Sequence, residues 1–442
     1  MKRILSLIAA TLLFAVFTGA MAQETWSLQK CIEYAIQNNI QIKQQDLNSE
    51  YYNNQHQQAK YNRLPNLNSS FQNNMSYGRS LGPDNTYLDI NSNSTYGSIN
   101  SNITVWNGFT LANSIKVAEM NLRASLEDAK KTKDDIMLNI AAAYLEILFA
   151  DELVLVADDL LKITQLQLDR TGKLVDAGSL AKGSLLEIEA QYAREELDVV
   201  NAQNRLQLAY LTLYQLLELP STESFKIEKP TLPEIGANLT LLNSMDVFKN
   251  AVQLKPVVKS AEYNLESARK QLLVAKGNLL PSLTFGGSYN NFYQKLYDYP
   301  TASLKRQFKG NQRYGFGATL SIPIFNHFQA KTSVSNAQIQ LENSELQLQN
   351  TKNALRKDIE QAYTNALAAF KRYVANQKTV ISSKEAFRYT EEKFNVGMIN
   401  SVEYNQSKNN LSKAQSDLLQ AKYEYIFRTK ILDFYNGQSI EL

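Results

Sequence analysis

The residues that could do chemistry in this 442-residue chain are few. Histidine occurs twice, as His56 and His327, and cysteine once, as Cys31. An imidazole could act as a general base or a metal ligand, and a thiolate as a nucleophile. Three such residues are too few for the usual zinc sites, and a single cysteine excludes an intrachain disulfide framework. We therefore predict neither a metal nor a cofactor.

Acidic pairs are the other candidates for acid–base chemistry. Asp134 with Asp135 and Glu195 with Glu196 lie in long polar helical sequence, where such pairs are most often solvated. The phosphate-binding motif G-x-x-x-x-G-K-[ST], the zinc-protease motif H-E-x-x-H and the nucleophile motif G-x-S-x-G do not occur in the sequence. A net charge of +3 argues against binding to nucleic acid. The chain is therefore predicted not to be an enzyme.

The first 22 residues have the pattern of a secretory signal peptide. Lys2 and Arg3 precede a short apolar run over 4–17, and the segment Ala20-Met21-Ala22 is typical of a cleavage site. An uncleaved anchor is the alternative. Beyond this run, no apolar stretch reaches the roughly 18 residues that a membrane helix needs. We expect an exported protein whose mature chain begins near Gln23.

The rest of the chain consists of two similar sequence repeats. Residues 64–67 (LPNL) reappear as 280–283 (LPSL), residues 103–108 align with 322–327, and Gly178 corresponds to Gly397. Prolines and a glycine cluster between the two copies, where they indicate a linker. The predicted domains are therefore a signal peptide over 1–22, a first repeat over 23–219, a linker over 220–240 and a second repeat over 241–442.

Each repeat is predicted to contain a helix, two strands, a very long helix, a tight turn and another long helix. The predicted helices cover 27–63, 108–171 and 180–219, then 326–395 and 400–436, with His327 at the start of one of them. About 60 residues of helix measure about 90 Å, which favours coiled coils over an ordinary compact bundle. Apolar residues at three- and four-residue steps support this: Leu186, Ala190, Ala193, Leu197 and Val200, and Tyr404, Leu411, Ala414, Leu418, Ala421 and Tyr425.

Two predicted hairpins each carry one apolar face and one small polar face. Residues 283–293 and 314–324 alternate in this way and are rich in aromatic side chains. The first hairpin repeats the pattern more weakly, with an apolar face formed by Leu67, Phe71, Met75 and Tyr77, and by Ile99, Ile103 and Val105. Such strands are typical of membrane β-barrels, and the alternative is a soluble sheet packed on a helix.

Four strands cannot close a barrel, because an open edge in lipid leaves backbone groups unpaired. Two copies would supply eight strands, whose interior is filled by its own side chains, whereas three copies supply twelve and leave a lumen. The predicted fold class is therefore an α+β membrane protein that is at least a trimer if it conducts anything.

This ordered set of features resembles the TolC-like outer membrane efflux protein family along nearly the whole mature chain. The resemblance is carried by the duplicated order of elements, the Leu-Pro-x-Leu strand entries, Pro323 near the end of the last strand, and the segment 394–397 before an alanine-spaced helix. It implies long coiled-coil helices that form a periplasmic α-barrel. It also implies a trimeric 12-stranded transmembrane β-barrel to which each chain contributes four strands.

The partners and the location follow from the same resemblance. It implies a homotrimer in outer membrane lipid that extends into the periplasm and has an equatorial belt formed by the linker and the termini. Its partners would be a periplasmic adaptor (membrane fusion) protein and an inner-membrane RND, ABC or similar transporter, so that the chain is a passive exit duct for efflux or type I secretion. Drugs, metal ions and secreted proteins are the cargo classes that the resemblance allows. A periplasmic coiled-coil scaffold or adaptor-like protein is the alternative function, and an envelope hydrolase is a third.

The resemblance also implies a periplasmic gate beyond the second tip turn at Gly397. Glu403 takes the first acidic gate position and Gln406 the second, so one ring of carboxylates is kept and another is lost. Three carboxylates at a constriction would favour cations. Ile399 stands where some members carry an arginine that helps to lock the tip shut. Glu187 and Glu189, beyond the first tip turn at Gly178, are weaker gate candidates.

Overall fold

The computed structural model describes residues 25–81, 84–219, 226–231, 235–236, 241–297 and 299–440. The signal peptide predicted over 1–22, and most of the linker predicted over 220–240, lie outside these residues. Among the described helices, none combines the length and the apolar character that a membrane crossing requires.

The elements follow one another in two similar series. The first series consists of β1 (Thr25–Trp26), α1 (Leu28–Asn38), α2 (Ile40–Tyr61), β2 (Asn68–Ser76), β3 (Arg79–Leu81), β4 (Tyr87–Asp89), β5 (Ser92–Trp106), α3 (Thr110–Asp176) and α4 (Lys182–Leu217). The second consists of β6 (Lys226–Ile227), α5 (Ser244–Leu254), α6 (Pro256–Gly277), β7 (Ser282–Leu296), α7 (Leu304–Gly310), β8 (Arg313–Ser321), α8 (Gln329–Asn395) and α9 (Ser401–Tyr435). The chain divides into a helical unit, formed by Met1–Asp46, Ala129–Pro256 and Lys352–Leu442, and a sheet unit, formed by Leu47–Asp128 and Val257–Thr351.

The sheet unit contains a four-stranded antiparallel sheet in the order β2-β5-β7-β8. The register places most apolar residues of the four strands on one face, because side chains two residues apart share a face; the stacked rings of Tyr96 and Phe292 lie on the other face. The apolar face carries Phe71, Met75, Ile99, Ile103, Phe285, Tyr289, Tyr314, Phe316 and Leu320. The opposite face carries Ser70, Ser98, Asn100, Asn102, Thr284, Ser288 and Thr319. Every residue of the two edge strands, β2 and β8, is exposed within the chain.

Two details of the predicted strands were wrong. The last strand ends at Ser321 rather than near residue 324, and Pro323 lies exposed in the connection to α8. Proline has no N–H to give to a strand ladder, so pairing stops before it. In β5 the register shifts between Thr104 and Trp106, which leaves Val105 at a bulge. Trp106 therefore lies opposite Leu283, at the position on the apolar face that was predicted for Val105.

The helix predicted over 27–63 is two helices, because the chain breaks at Asn39. This residue has φ −59° and ψ 130°, and its side-chain oxygen accepts a hydrogen bond from the N–H of Gln41 at 2.9 Å, as an N-cap does. Its amide nitrogen donates to the carbonyl of Leu216 in α4 at 3.0 Å. The second series has its own break, with Pro256 at the first position of α6, where the lost N–H has no helical partner to miss.

The two long helices, α3 and α8, each contain 67 residues. They start 219 residues apart, which is also the separation between Gly178 and Gly397. Helix α8 begins at Gln329, so that His327 precedes the helix instead of opening it as predicted. His327 and Phe328 are left-handed, with φ of 54° and 60°, as are their equivalents Gly108 and Phe109, with φ of 64° and 65°. Both series thus enter the long helix through the same backbone turn.

The largest core lies in the helical unit and is built on α1, α3, α4 and α9. Strand β1 pairs in parallel with β6, and the hydroxyl of Tyr144 lies 3.1 Å from the Trp26 carbonyl oxygen and 2.6 Å from that of Glu228. Cys31 is fully buried in this core, where burial raises the pKa of its thiol to about 12. The thiol is therefore neutral and contributes to packing as a small apolar side chain.

Candidate functional site

The site is built on the two tip turns that join each long helix to its partner. Gly178 and Gly397 have φ of 73° and 75°, a conformation that glycine adopts without steric cost. At the first turn, the N–H of Gly178 bonds to the Val175 carbonyl at 2.9 Å and the N–H of Ser179 to the Leu174 carbonyl at 2.8 Å. The second turn repeats both bonds, so each helix ends in a Schellman motif.

Glu403 and Gln406 lie in the first turns of α9, beyond the second tip turn. Asn400 caps this helix, because its side-chain oxygen accepts from the N–H of Glu403 at 2.9 Å. The side chain of Glu403 is exposed and lines a tip cavity of about 680 Å³, which Ile399 also lines. Gln406 is exposed and donates to Asn410 at 3.1 Å. The structure thus places both predicted gate residues on accessible surface near the tip.

An arginine does occur at the tip, but it comes from the first long helix. Ile399 is half-buried, and no charge stands at that position. Arg170, near the end of α3, donates to the side-chain oxygen of Asn395 and, at 3.2 Å, to its backbone carbonyl. Asn395 is the last residue of α8, so this contact ties the end of one long helix to the end of the other.

The two weaker gate candidates differ in their surroundings. Glu187, in α4, accepts a hydrogen bond from the hydroxyl of Ser401 at the start of α9. Glu189 is exposed. Glu187 therefore joins the second helices of the two series, just as Arg170 joins the first.

Aromatic side chains form a small core beneath the second tip turn. Tyr404 is 2% exposed and stacks on Phe394, with ring centroids 4.7 Å apart, and it also contacts the ring of Phe387, with centroids 5.4 Å apart. Burial raises the pKa of the Tyr404 phenol above its usual range. The cluster holds α9 against α8 independently of any charge.

A buried ion pair lies about one turn beyond Tyr404 along α9. Lys408 is 1% exposed, and its ammonium nitrogen lies 2.9 and 3.0 Å from the two carboxylate oxygens of Glu195 in α4. It also donates to the Leu160 carbonyl at 2.8 Å and to the hydroxyl of Thr164, both in α3. Burial lowers the pKa of Lys408, and its bond to Glu195 opposes that shift.

Glu195 is as fully bonded as its partner. Its carboxylate accepts from the hydroxyl of Thr164 at 2.5 Å and from the side-chain amide of Gln191 at 2.8 Å. The four side chains thus connect α3, α4 and α9 through a network without an unpaired charge, which is the condition for burying an ion pair. No group of three or more His, Cys, Asp or Glu residues that could hold a metal occurs in the part of the chain that the structure describes.

This network was not predicted from the sequence, although the sequence contains one signal of it. Between the predicted seam residues Tyr404 and Leu411, the step of seven skips the position that should also face inward, and that position is Lys408. A lysine at an inward position needs a buried acid. The acid is Glu195, which was predicted to be solvated together with Glu196 but is 6% exposed.

The predicted seam of α4 lies on surface that the chain does not cover. Helix α4 instead buries Ile188, Gln191 and Glu195. All five predicted seam residues are exposed, Leu186 to 54% and Leu197 and Val200 each to 58%. Glu195 can be buried because Lys408 and Thr164 donate to it, and Gln191 can be buried because its amide donates to Glu195 and to Asn409. The helix therefore presents a leucine- and alanine-rich stripe that finds no partner among the described residues of this chain.

The chain is similar to known proteins along most of its length. The family model described as outer membrane efflux protein matches it twice, over residues 31–218 and 247–434. Toxin and drug export protein A of Aggregatibacter actinomycetemcomitans is 25% identical over 345 residues, covering 75% of this chain and 70% of that protein. The outer membrane protein TolC of Vibrio cholerae is 25% identical over 316 residues, covering 71% and 70%.

Solved structures share the fold at lower identity. The outer membrane protein VceC of Vibrio cholerae superimposes with a TM-score of 0.76 at 17% identity, over 94% of this chain and 97% of that one. The MtrE outer membrane channel of Neisseria gonorrhoeae gives a TM-score of 0.74 at 20% identity, over 94% and 89%.

Proposed function

The chain belongs to the outer membrane efflux protein family, and from that premise we propose that it is the passive exit duct of a tripartite efflux or type I secretion system. The protein is an outer membrane efflux channel that extends into the periplasm. The observation that carries the proposal is a sheet with one apolar face and two exposed edges, which a single chain leaves open.

Three copies complete this sheet. Unpaired strand edges in lipid are costly, so β8 of one subunit pairs with β2 of the next and twelve strands close a barrel. The apolar face then contacts lipid, and the serine-, threonine- and asparagine-rich face lines the lumen. In the helical unit, the exposed stripe of Leu186, Leu197 and Val200 supplies an apolar seam for a helix of the neighbouring subunit. The homotrimer therefore covers two separate exposed surfaces, the strand edges of the sheet and the apolar stripe of α4.

We assign closure of the periplasmic end of the channel to the tip turns and the helix ends beside them. Three copies of Glu403 would surround the entrance and favour cations there, while Gln406 adds no charge to a second ring. Arg170 takes over the locking role that Ile399 cannot perform, because it holds Asn395 at the end of α8. Release of this contact and of the bond between Glu187 and Ser401 would free the tip ends of α8 and α9 to move away from α3 and α4, while the network around Lys408 still holds α9 further from the tip.

The partners are a periplasmic adaptor and an inner-membrane transporter. The second tip turn exposes Val396 to 71% and Met398 to 73%, an apolar surface on which an adaptor could dock. The transporter supplies the energy, since the sequence contains no phosphate-binding motif. Export is thus physical passage through a lumen rather than a reaction. A periplasmic scaffold would have no use for an apolar sheet face.

Assembly is tested with full-length protein extracted from outer membranes in mild detergent. We expect a trimer on unheated gels that dissociates to monomer on boiling. Replacing Phe316 on the apolar face by Asp should abolish recovery in the outer membrane fraction, because a charge would face lipid. Replacing Thr319 on the polar face by Asp is the matched control and should leave recovery intact. A soluble monomer in the periplasm would refute the proposal.

The gate is tested in planar bilayers with the purified trimer. Glu403→Gln should lower the cation-over-anion permeability ratio several-fold, because a ring of charge is removed. Glu342→Gln, at an exposed carboxylate of α8 in the sheet unit, is the matched control. Arg170→Ala should raise the open probability about fivefold, as expected for loss of a contact worth about 1 kcal/mol. Unchanged selectivity in Glu403→Gln would remove the gate assignment and leave the channel itself in place.

A further inference from the structure

Helix α7 lies along the end of β7 that has no partner in β8. The side chain of Gln307 bonds to both backbone groups of Gln294 in β7, accepting from the N–H at 2.9 Å and donating to the carbonyl at 2.7 Å. Asn311 donates to the Phe292 carbonyl at 2.7 Å. These side chains replace the missing strand partner, so α7 is fixed to the edge of the sheet.

Asn291 shows which side of the sheet α7 follows. Residues 285, 289 and 291 of β7 share the apolar face, because they are an even number of positions apart. The side chain of Asn291 is 7% exposed, and its amide donates to the Phe308 carbonyl at 2.9 Å and to the Tyr289 hydroxyl at 3.3 Å. Part of α7 therefore lies over the apolar face, next to the paired rings of Tyr289 and Tyr314, whose centroids are 5.1 Å apart.

The exposed surface of α7 is amphipathic. Leu304 and Phe308, one helical turn apart, are exposed to 59% and 56%. Lys305, Arg306 and Lys309 are exposed beside them, and Lys295 at the end of β7 is exposed near them in sequence. Among the described residues, none of the three basic side chains of α7 is within ion-pair distance of a carboxylate. The helix thus offers an apolar stripe and an unpaired cationic stripe on the same short segment.

The geometry points to α7 as a lipid-binding element that holds phosphate groups of the phosphorylated glycolipid in the outer leaflet. This inference rests on the proposed orientation of the sheet, since the connection between β7 and β8 lies at the end opposite the helices and so faces outward. Leu304 and Phe308 enter the acyl boundary at the level of the tyrosine pair, as in an interfacial helix. Lys305, Arg306 and Lys309 then lie at head-group level, where anionic lipids attract them.

The charge balance selects this occupant over a protein partner or the lumen. The connection and its flanks, residues 294–313, hold five basic residues and one acidic residue, Asp298. The first hairpin has the small β3–β4 ladder at the corresponding place, with Arg79 and the acidic Asp84 and Asp89. Only the second connection therefore carries a strongly cationic surface, and Asn291 places it on the lipid side.

The test is lipid retention by the purified trimer, measured by native mass spectrometry. The probes are bisphosphorylated lipid A and the same lipid with its phosphates removed, at equal concentration. We expect wild type to retain the phosphorylated form about tenfold better, and Lys305→Gln/Arg306→Gln/Lys309→Gln to lose this preference. Lys357→Gln/Lys371→Gln/Lys378→Gln removes the same charge from exposed positions of α8 and should keep it.

Two further variants distinguish the effect of fixing α7 to β7 from the effect of its charge. Gln307→Ala removes the bonds to β7 while leaving every charge, and should weaken the preference several-fold. Lys305→Arg/Lys309→Arg should retain it. Equal binding of the two lipids by wild type, or an unchanged preference in the triple glutamine variant, would overturn the inference. A triple variant that loses trimer stability but keeps the lipid preference would also overturn it, and would assign α7 to the contact between subunits. Failure of the proposed function would instead appear as absence of the trimer in wild type.

Discussion

Lys408 and Glu189 occupy equivalent positions in the two series, since they are separated by the same 219 residues as the tip glycines. Their surroundings are opposite. Lys408 is 1% exposed and paired with Glu195, whereas Glu189 is exposed. The partner shows the same asymmetry, because the position equivalent to Glu195 is Ala414, a small seam residue that is 4% exposed. The duplicated backbone therefore does not imply duplicated chemistry.

The difference shows that two series with the same backbone can differ in their polar contacts. The backbone features recur in both series: the left-handed entry to the long helix, its length of 67 residues and the glycine that ends it. The polar contacts do not recur, because they run between the series. Arg170, Glu187 and Glu195 of the first series each bind a residue of the second. Links of this kind can hold two helical pairs together and still be separated without unfolding either pair.

The largest expected effect comes from removing one member of the buried pair formed by Lys408 and Glu195. Lys408→Met leaves the Glu195 carboxylate buried without a cation, which should lower the free energy of unfolding by about 3–5 kcal/mol. Glu189→Met at the equivalent exposed position should change it by less than about 0.5 kcal/mol. Urea denaturation of the detergent-solubilised protein measures both values. The double variant Lys408→Met/Glu195→Leu should recover most of the loss, and a cost below about 1 kcal/mol for Lys408→Met would show that water reaches the pair.

The next effect compares the equivalent residues Gly108 and His327 at the entry to the two long helices. A Cβ on Gly108 would lie 2.5 Å from the Gly277 carbonyl oxygen and 2.8 Å from Cβ of Leu280, at a left-handed φ of 64°. Gly108→Ala should therefore lower the free energy of unfolding by about 2 kcal/mol. His327 already carries a side chain at the equivalent position, so His327→Gly should change it by no more than about 0.5 kcal/mol. Equal costs at the two positions, again by urea denaturation, would contradict this account.

The smallest effect is the dependence of stability on pH that the buried Lys408 contributes. The folded-state pKa of Lys408 is depressed, so between that pKa and about 10.5 the unfolded chain binds more protons than the folded one. The free energy of unfolding contributed by this group should therefore rise as pH increases through that window. Wild type should gain stability relative to Lys408→Met/Glu195→Leu between neutral and alkaline pH. A constant difference between the two proteins would show that the pKa is not lowered.

Much of this fold could be predicted because the signals were periodic. Alternation over 283–293 gave β7 to within three residues at its end, and the proline-free stretch from Gly108 indicated α3. The misses depend on single residues. Asn39 divides a helical pattern by capping the second half with its own side chain, and Val105 is displaced by a bulge that no period reveals.

The site was predicted in part for a related reason. The glycine turns and the exposed position of Glu403 follow from local sequence, because a left-handed residue and an N-cap act on neighbours. Lys408 and Arg170 were not predicted, since their partners are 213 and 225 residues away along the chain. Burial of a polar group depends on what a distant segment offers it, and one sequence does not state which segments meet.

The equal length of α3 and α8 has a consequence for how such a protein can change over evolutionary time. Arg170 and Asn395 meet only because each helix reaches its tip after the same number of turns. Removing four residues from α3 alone would withdraw its end by about 6 Å and rotate it out of register. Insertions and deletions in the long helices must therefore occur as matched pairs, whereas the short connections such as those around α7 can vary singly. Descendants of this chain should diverge in length at the outer connections long before they do so along the helices.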